Sequence, residues 1–423
     1  MLRSFIFASL AAASLLAADA DWPQFRGPHG SGISAEKGLP VTWGSDKNIA
    51  WKIDVTGAGA SSPIIAGGRI YLTSYTGHAM PGQRGSSSVS ALKRHVLCLN
   101  LADGKLLWDK EAETVQPEAQ RVAEHGYASS TPIVEGDRLY AFFGISGLFA
   151  FDLEGKQLWH SPAGSNTHQW GTAASPVIYK DLVIVNASVE SDALVAFNKE
   201  TGKEVWRAPG IRQAWNTPAL VDLPNGKSEL AVCIEGKVLG FDPATGKELW
   251  SAGGNGGYMC PSLVVANGAV YAPWAHRTIA VKAGGSGDVG KSHEIWNIYK
   301  SQRGSNVSSG VFFGGNLYFA ADAERSRDSE SVLCMNGQTA EVIAERKLDP
   351  APGRIYSSPV IADGKFYVTA RNGKTYVLSA DTKLEPLAVS DLSDGTDFDA
   401  SPAVAKGRLL IRSGKRLYCV GEK

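Results

Sequence analysis

The chain is poor in several things that mark common functional classes. Of its 423 residues only five are cysteine (Cys98, Cys233, Cys260, Cys334 and Cys419), with no CxxC and no adjacent pair. That excludes a zinc knuckle or a CxxCH haem site and leaves the small buried apolar residue as the expected role of each. Neither sign of charge dominates, since 42 Lys and Arg face 42 Asp and Glu. A nucleic-acid binder would show a basic excess to neutralise phosphates. No apolar run approaches the roughly 18 residues of a membrane-spanning helix beyond residue 20. The eight histidines have no HxH or HxxxH spacing, so zinc has little support. No G-x-S-x-G elbow or phosphate loop is present, which leaves hydrolase and nucleotide chemistry without a motif.

At the N-terminus, Arg3 precedes an apolar stretch from Phe5 to Ala18, followed by the small-x-small sequence Ala18-Asp19-Ala20. This reads as a secretory signal peptide over residues 1–20, with the mature chain starting at Asp21. Export to the periplasm or the extracellular space is expected. No cysteine follows the apolar stretch to carry a lipid.

Glycine is abundant, at 47 residues, without a collagen period, and 43% of the chain is hydrophobic. The reason is a repeat. Ser/Thr/Ala-x-Pro, alternating apolar residues, a Gly or Asp turn and a second apolar strand recur from Ser61, Ser129, Ala173, Asn216, Cys260, Ser308 (Val311 replacing the proline), Ser357 and Ala400. Each copy is followed by an apolar strand, an Asp or Asn, a Gly-Lys turn and a further strand. Trp51, Trp108, Trp159, Trp206, Trp250 and Trp296 sit at one position of that last strand. Asp or Asn followed by Gly suits a tight turn, where the side chain caps an N–H and Gly accepts positive φ. Each copy thus supplies four antiparallel strands.

Eight such copies predict an all-β, eight-bladed β-propeller over residues 48–423, preceded by an extended segment at 21–47. The last copy has three strands, and the unpaired strand around Trp51 can complete it, closing the ring and removing an exposed edge. The position before each Phe-Asp or Leu-Asn pair is small: Cys98, Ala150, Ala196, Gly240, Ala280, Cys334, Ser379 and Cys419. Crowding between blades is the expected cause, with the tryptophans filling the wider outer part.

The A-strand proline, the D/N-x-x-T-G-K-x-L-W turn and the eight-fold count resemble the pyrroloquinoline-quinone-like (PQQ-like) propeller repeats of exported bacterial proteins. WPQFRGPHGSGIS from Trp22 is similar to the opening of exported members. The resemblance implies one of two roles. One is a quinoprotein dehydrogenase of alcohols or sugars, using PQQ and calcium; the other is a non-enzymatic scaffold similar to the lipoprotein of the outer-membrane β-barrel assembly machinery. The chain lacks the adjacent Cys-Cys of many such dehydrogenases and the lipidated cysteine of that scaffold. A binding or scaffold module of the cell envelope is the first expectation, a monomer holding an envelope protein or a small polar ligand. Carbohydrate recognition through Trp170, Trp215 and Trp274 is a further alternative.

Function would be written in the connections that meet on one face, the funnel around the central channel. These carry His125 and Tyr127; His168, Gln169 and Trp170; Arg212, Trp215 and Asn216; Asn255 and Tyr258; Trp274, His276 and Arg277; Arg303 and Asn306; Arg354 and Tyr356; and Asp397 with Asp399. Arginine forks pair with carboxylates and aromatic rings stack on planar groups, so PQQ, sugars, peptides and proteins are all open. Under the enzyme reading Asp397 or Asp399 is the candidate base. Asp397 and Asp399 alone make a weak calcium motif, and no metal site is assigned. A Gly/Ser-rich insertion at Ser74–Arg94 is expected to be a mobile loop over the funnel face, and the charged stretch from Glu324 a solvated loop.

Overall fold

The computed structural model describes residues 21–80, 88–120, 122, 124–254, 256–275, 277–299, 304–321 and 330–422. The expected signal peptide and residues 324–329 of the charged stretch lie outside these residues. Eight sheets follow one another along the chain, at 64–112, 133–161, 177–209, 219–253, 264–299, 311–347, 360–391 and 403–420. We number these blades one to eight. Each has four antiparallel strands running in order from the inside outward. In blade one they are Ile64–Ala66, Arg69–Thr76, Lys93–Asn100 and Leu106–Ala112. Blade eight takes its outermost strand, Ile49–Asp54, from the N-terminus, with Trp51 opposite Cys419.

Closure is also visible at the centre. The backbone N–H of Ser62 donates to Thr131 Oγ1 of the next blade, and the same bond continues through Ser175, Thr217, Ser262, Ser309, Ser358 and Ser401. Ser401 N–H then donates to Ser62 Oγ at 3.0 Å. The Ser/Thr/Ala-x-Pro signature is therefore an inter-blade hydrogen-bond ring that ends where it began.

The apolar core lies between blades, because each sheet buries both faces against its neighbours. Residues of blades one and two share one cluster and residues of blades seven, eight and one another. The recurrent tryptophan joins blades by two contacts. Its Nε1–H donates to a turn carbonyl of the following blade: Trp51 to Leu101, Trp108 to Leu153, Trp159 to Lys199, Trp206 to Pro243 and Trp296 to Gly337, all at 3.0–3.1 Å. Its ring lies on the turn glycine of that blade in four cases, at Gly104, Gly155, Gly202 and Gly246. Trp250 is the exception. Residues 283–293 replace the turn of blade five, and Gly287–Asp288 adds to the outer strand of blade four beside Trp250. Its indole donates instead to Glu229 Oε2 at 2.6 Å.

The small third-strand residue has a more local cause than crowding between blades. Cys98, Ala150, Ala196, Gly240 and Ala280 each lie directly opposite the tryptophan of their own blade. At Gly240 a Cβ would meet the Trp250 ring at 2.1 Å. In blade seven the equivalent position is Val377, opposite Ala388, not Ser379. With no tryptophan on the outer strand, a larger residue fits there.

The expected insertion in blade one is shorter than Ser74–Arg94, since strands Arg69–Thr76 and Lys93–Asn100 absorb both ends. A short 3-10 turn at Val89–Ala91, capped by Ser88, precedes the return strand.

The N-terminal segment crosses the central channel. Trp22 forms a two-way backbone bridge with Ile65 of blade one, and Val134 N–H of blade two donates to Pro23 O. Ile33–Ser34 then pairs in parallel with the inner strand of blade seven. Residues 36–43 continue beneath blades seven and eight, where Glu36 accepts from Gly407 N–H and Asp363 from Gly38 N–H. The plug therefore lies at the face of the first-to-second-strand turns, opposite the funnel. The only α-helix among the described residues is Ser188–Ser191, and no helix there is long and apolar enough to cross a membrane.

Candidate functional site

Two neighbouring clusters form on the funnel face, the first built from links between blades and the second from such links and a loop within blade seven. The first is aromatic. His168 and Trp170 come from the link into blade three, Trp215 from the link into blade four and Tyr258 from the link into blade five. Ring centroids are 4.4 Å apart for Trp170 and Tyr258, 5.0 Å for His168 and Trp215, and 5.3 Å for Trp170 and Trp215. Their edge-on and tilted geometries suit ring quadrupoles. Backbone bonds lock the links together: Trp215 N–H donates to Met259 O at 2.7 Å, and its indole donates to Gly171 O at 2.8 Å. Trp215 is buried, whereas Tyr258 is 47% exposed and presents its ring to solvent.

The second cluster is charged and centres on Arg371, in the loop between the second and third strands of blade seven. Its guanidinium holds Asp399 at 2.6 Å, Asp397 at 2.9 Å and Glu124 at 3.4 Å, and lies over the Tyr356 ring. Glu124, from the link into blade two, also takes Arg354 at 3.1 Å and the hydroxyl of Tyr356. Burial pushes the Asp399 carboxyl up to about 6 against the pull of Arg371. Burial also acts to raise Glu124, but the Tyr356 hydrogen bond and the two guanidinium groups outweigh it and hold that carboxyl below its ordinary value. His125 joins the clusters: its neighbour Glu124 faces Arg371, and its own ring is buried against Ser129, which lowers its basicity.

The other sequence candidates fall into separate environments. Tyr127 is a packing residue, 5% exposed, donating to Ala119 O and edge-on to Tyr75. Asn216 is buried and holds backbone, its amide donating to Cys233 O and Met259 O. Trp274 is buried between blades four and five, which removes it as a stacking surface. Arg277 is spent on Asn297 at 2.8 Å and on Gly254 O. Gln169 and Arg212 are exposed and Asn306 is partly buried. Asn255, His276 and Arg303 lie outside the described residues.

Arg371 and Glu124 escaped the sequence reading. Arg-Asn-Gly-Lys at 371–374 reads as an ordinary turn, and Glu124 as one more surface charge. Also unforeseen is a small cleft beside the aromatic cluster, lined by Arg94, Glu118, Tyr127, Phe143 and Thr172 among others. Arg94 and Glu118 form a buried ion pair there. Behind the cleft, Glu190 is wholly buried, accepts from Thr172 and is pushed up to about 7 by desolvation, with Oε2 unpartnered.

A family model described as outer membrane protein assembly factor BamB matches residues 33–188, 167–287 and 235–385. The chain belongs to this PQQ-like family. Among solved structures, it is similar to the quinohemoprotein alcohol dehydrogenase from Comamonas testosteroni, with a TM-score of 0.68 and 12% identity over 97% of this chain and 82% of that one. BamB from Moraxella catarrhalis gives 0.60 and 14%, over 88% and 96%. The computationally designed Ika8 protein gives 0.60 and 11%, over 88% and 99%. No curated protein matches the sequence. Identities this low speak for the fold, and one fold hosts several functions.

The described rim of this PQQ-like propeller is a poor cradle for PQQ, a tricarboxylate. Arg354 and Arg371 are already matched by Glu124, Asp397 and Asp399, three carboxylates against two cations. Among the described residues no three His, Cys, Asp or Glu side chains converge in a way that could hold a metal ion.

Proposed function

We propose that this chain is an envelope binding or scaffold module whose funnel face holds a protein partner. One observation carries the reading: the rim's guanidinium groups are internally neutralised on the same face that presents an exposed aromatic ring. Tyrosine, tryptophan and arginine in a partly desolvated cluster are the residues on which protein interfaces concentrate binding energy. Asp397 and Arg354, each more than 60% exposed, flank Arg371 and Tyr356 with charge of both signs and suit a polar rim. The BamB family match points the same way. Export, as expected from the residues at 1–20, would bring the chain to envelope partners.

A second reading keeps a specific observation. Asp399, with its carboxyl raised to about 6 beside Arg371, is poised as a general base near neutral pH, as a quinoprotein dehydrogenase would require. Calorimetric titration of the mature chain with PQQ, with and without calcium, separates the two. No binding is expected, together with capture of an envelope protein that Tyr258→Ala and Arg354→Glu abolish and Asp399→Asn spares. Saturable one-to-one PQQ binding that Arg371→Gln abolishes would replace the scaffold reading with the dehydrogenase.

A further inference from the structure

Arg26 occupies an unusual place. Its segment enters the channel at blade two, where Pro23 accepts from Val134, and its guanidinium reaches Gly310 O of blade six, diametrically opposite. The plug backbone meets the inner strands at Ile65, Val134 and Ile361, three residues beyond the ring members Ser62, Thr131 and Ser358. At about 3.3 Å per residue, the plug lies about 10 Å down the channel from the hydroxyl ring. Gly310 is only one residue beyond Ser309, so the Arg26 side chain climbs from the plug towards that ring.

The guanidinium is buried, with the residue 3% exposed, and its charge is unmatched. Nη2 donates to Gly310 O and Ser31 O, but Nε and Nη1 have no partner. No carboxylate pairs with Arg26 among the described residues. Desolvation lowers it only to about 10, so it stays charged at neutral pH. A buried cation without a counter-charge is among the costliest features a fold can carry. Above it, each of the eight ring hydroxyls accepts one N–H and donates to no described protein group. Each therefore keeps an O–H free to donate. The unpartnered Nε and Nη1 of Arg26 and the free ring O–H groups are thus unspent donors on the inner side of the blades.

We propose that the channel between the N-terminal plug and the hydroxyl ring is a site for one small inorganic anion of halide size, held against Arg26. The anion supplies the missing counter-charge and accepts from the free guanidinium N–H groups and from ring hydroxyls. It also ties the plug to the propeller, so anion binding and closure of the channel are coupled through mass action.

The probe is halide itself. Crystals of the mature chain grown with bromide should show one anomalous peak within hydrogen-bond reach of Arg26 Nε or Nη1. With gluconate replaced stepwise by chloride at constant ionic strength, Tm should rise saturably by several degrees. Arg26→Gln should flatten that dependence and Arg26→Lys retain part of it. Water alone in the channel of bromide-grown crystals, or a wild-type Tm indifferent to chloride, overturns the proposal. Both of those measurements use the unaltered chain, so failure of Arg26→Gln to fold would not protect it.

Discussion

Gly246 of blade four lies directly under the indole of Trp206 from blade three, where an added Cβ would come within 2.4 Å of Cε3. The glycine also has φ +70°, a conformation the turn requires. One residue thus serves the turn and the socket for the neighbouring blade, which is why Gly-Lys and tryptophan recur together.

Trp206→Ala should therefore cost roughly 3–5 kcal/mol, measured by urea denaturation, because it empties a buried inter-blade contact. Gly246→Ala should be destabilising too, through backbone strain and displacement of the same indole. A near-neutral Trp206→Ala would mean that the indole is not part of the blade interface.

The hydroxyl ring offers a cleaner test of closure. Ser62→Ala removes the acceptor for Ser401 N–H at the seam between blades eight and one. Ser358→Ala does the same for Ser309 N–H within the continuous chain. Each should cost about 1–3 kcal/mol, the penalty of a buried unsatisfied donor. At the seam, buried Arg412 of blade eight also donates to Ser61 O and Thr73 O at 2.7 and 2.9 Å. Arg412→Met should open this seam, seen as faster amide exchange in 49–54 and 403–420 than elsewhere. Uniform exchange across all blades would remove Arg412 as a closure residue.

Deleting residues 21–54 removes both the plug and the outer strand of blade eight. The exposed edge of Arg416–Val420 should then template association, read as oligomers by light scattering. A stable monomer with an unchanged Tm would contradict the closure.

The fold was legible because its information is periodic. Each blade restates the strand lengths, the turn chemistry and the tryptophan, so eight weak signals reinforce one another. Where a copy departs from the pattern, reading failed: Ser379 was matched by spacing, but the outer strand Pro386–Asp391 carries no tryptophan to define the register. The site was less legible for the opposite reason. Glu124 and Arg371 are 247 residues apart, in connections with no repeat pattern, and only ring closure brings them together. Tyr127, Asn216 and Trp274 sit in connections of the same face yet point into the packing, since a loop must satisfy its own backbone before it can bind anything.

Glu190 makes a pH prediction whose sign follows from burial. Its folded-state carboxyl is raised to about 7, above the unfolded value near 4.3. Between those values the native state binds more protons than the unfolded state, so this group's contribution to stability falls as pH rises from about 4.5 to about 7. Glu190→Gln keeps an acceptor for Thr172 and cannot ionise. It should therefore flatten that part of the pH profile and raise stability at pH 8, by up to roughly 3 kcal/mol. Denaturant midpoints at pH 5 and pH 8 give the answer: the variant should gain on the wild type at pH 8 far more than at pH 5. An equal effect at both would show that Glu190 is ionised throughout, and that Arg94, rather than desolvation, sets its charge.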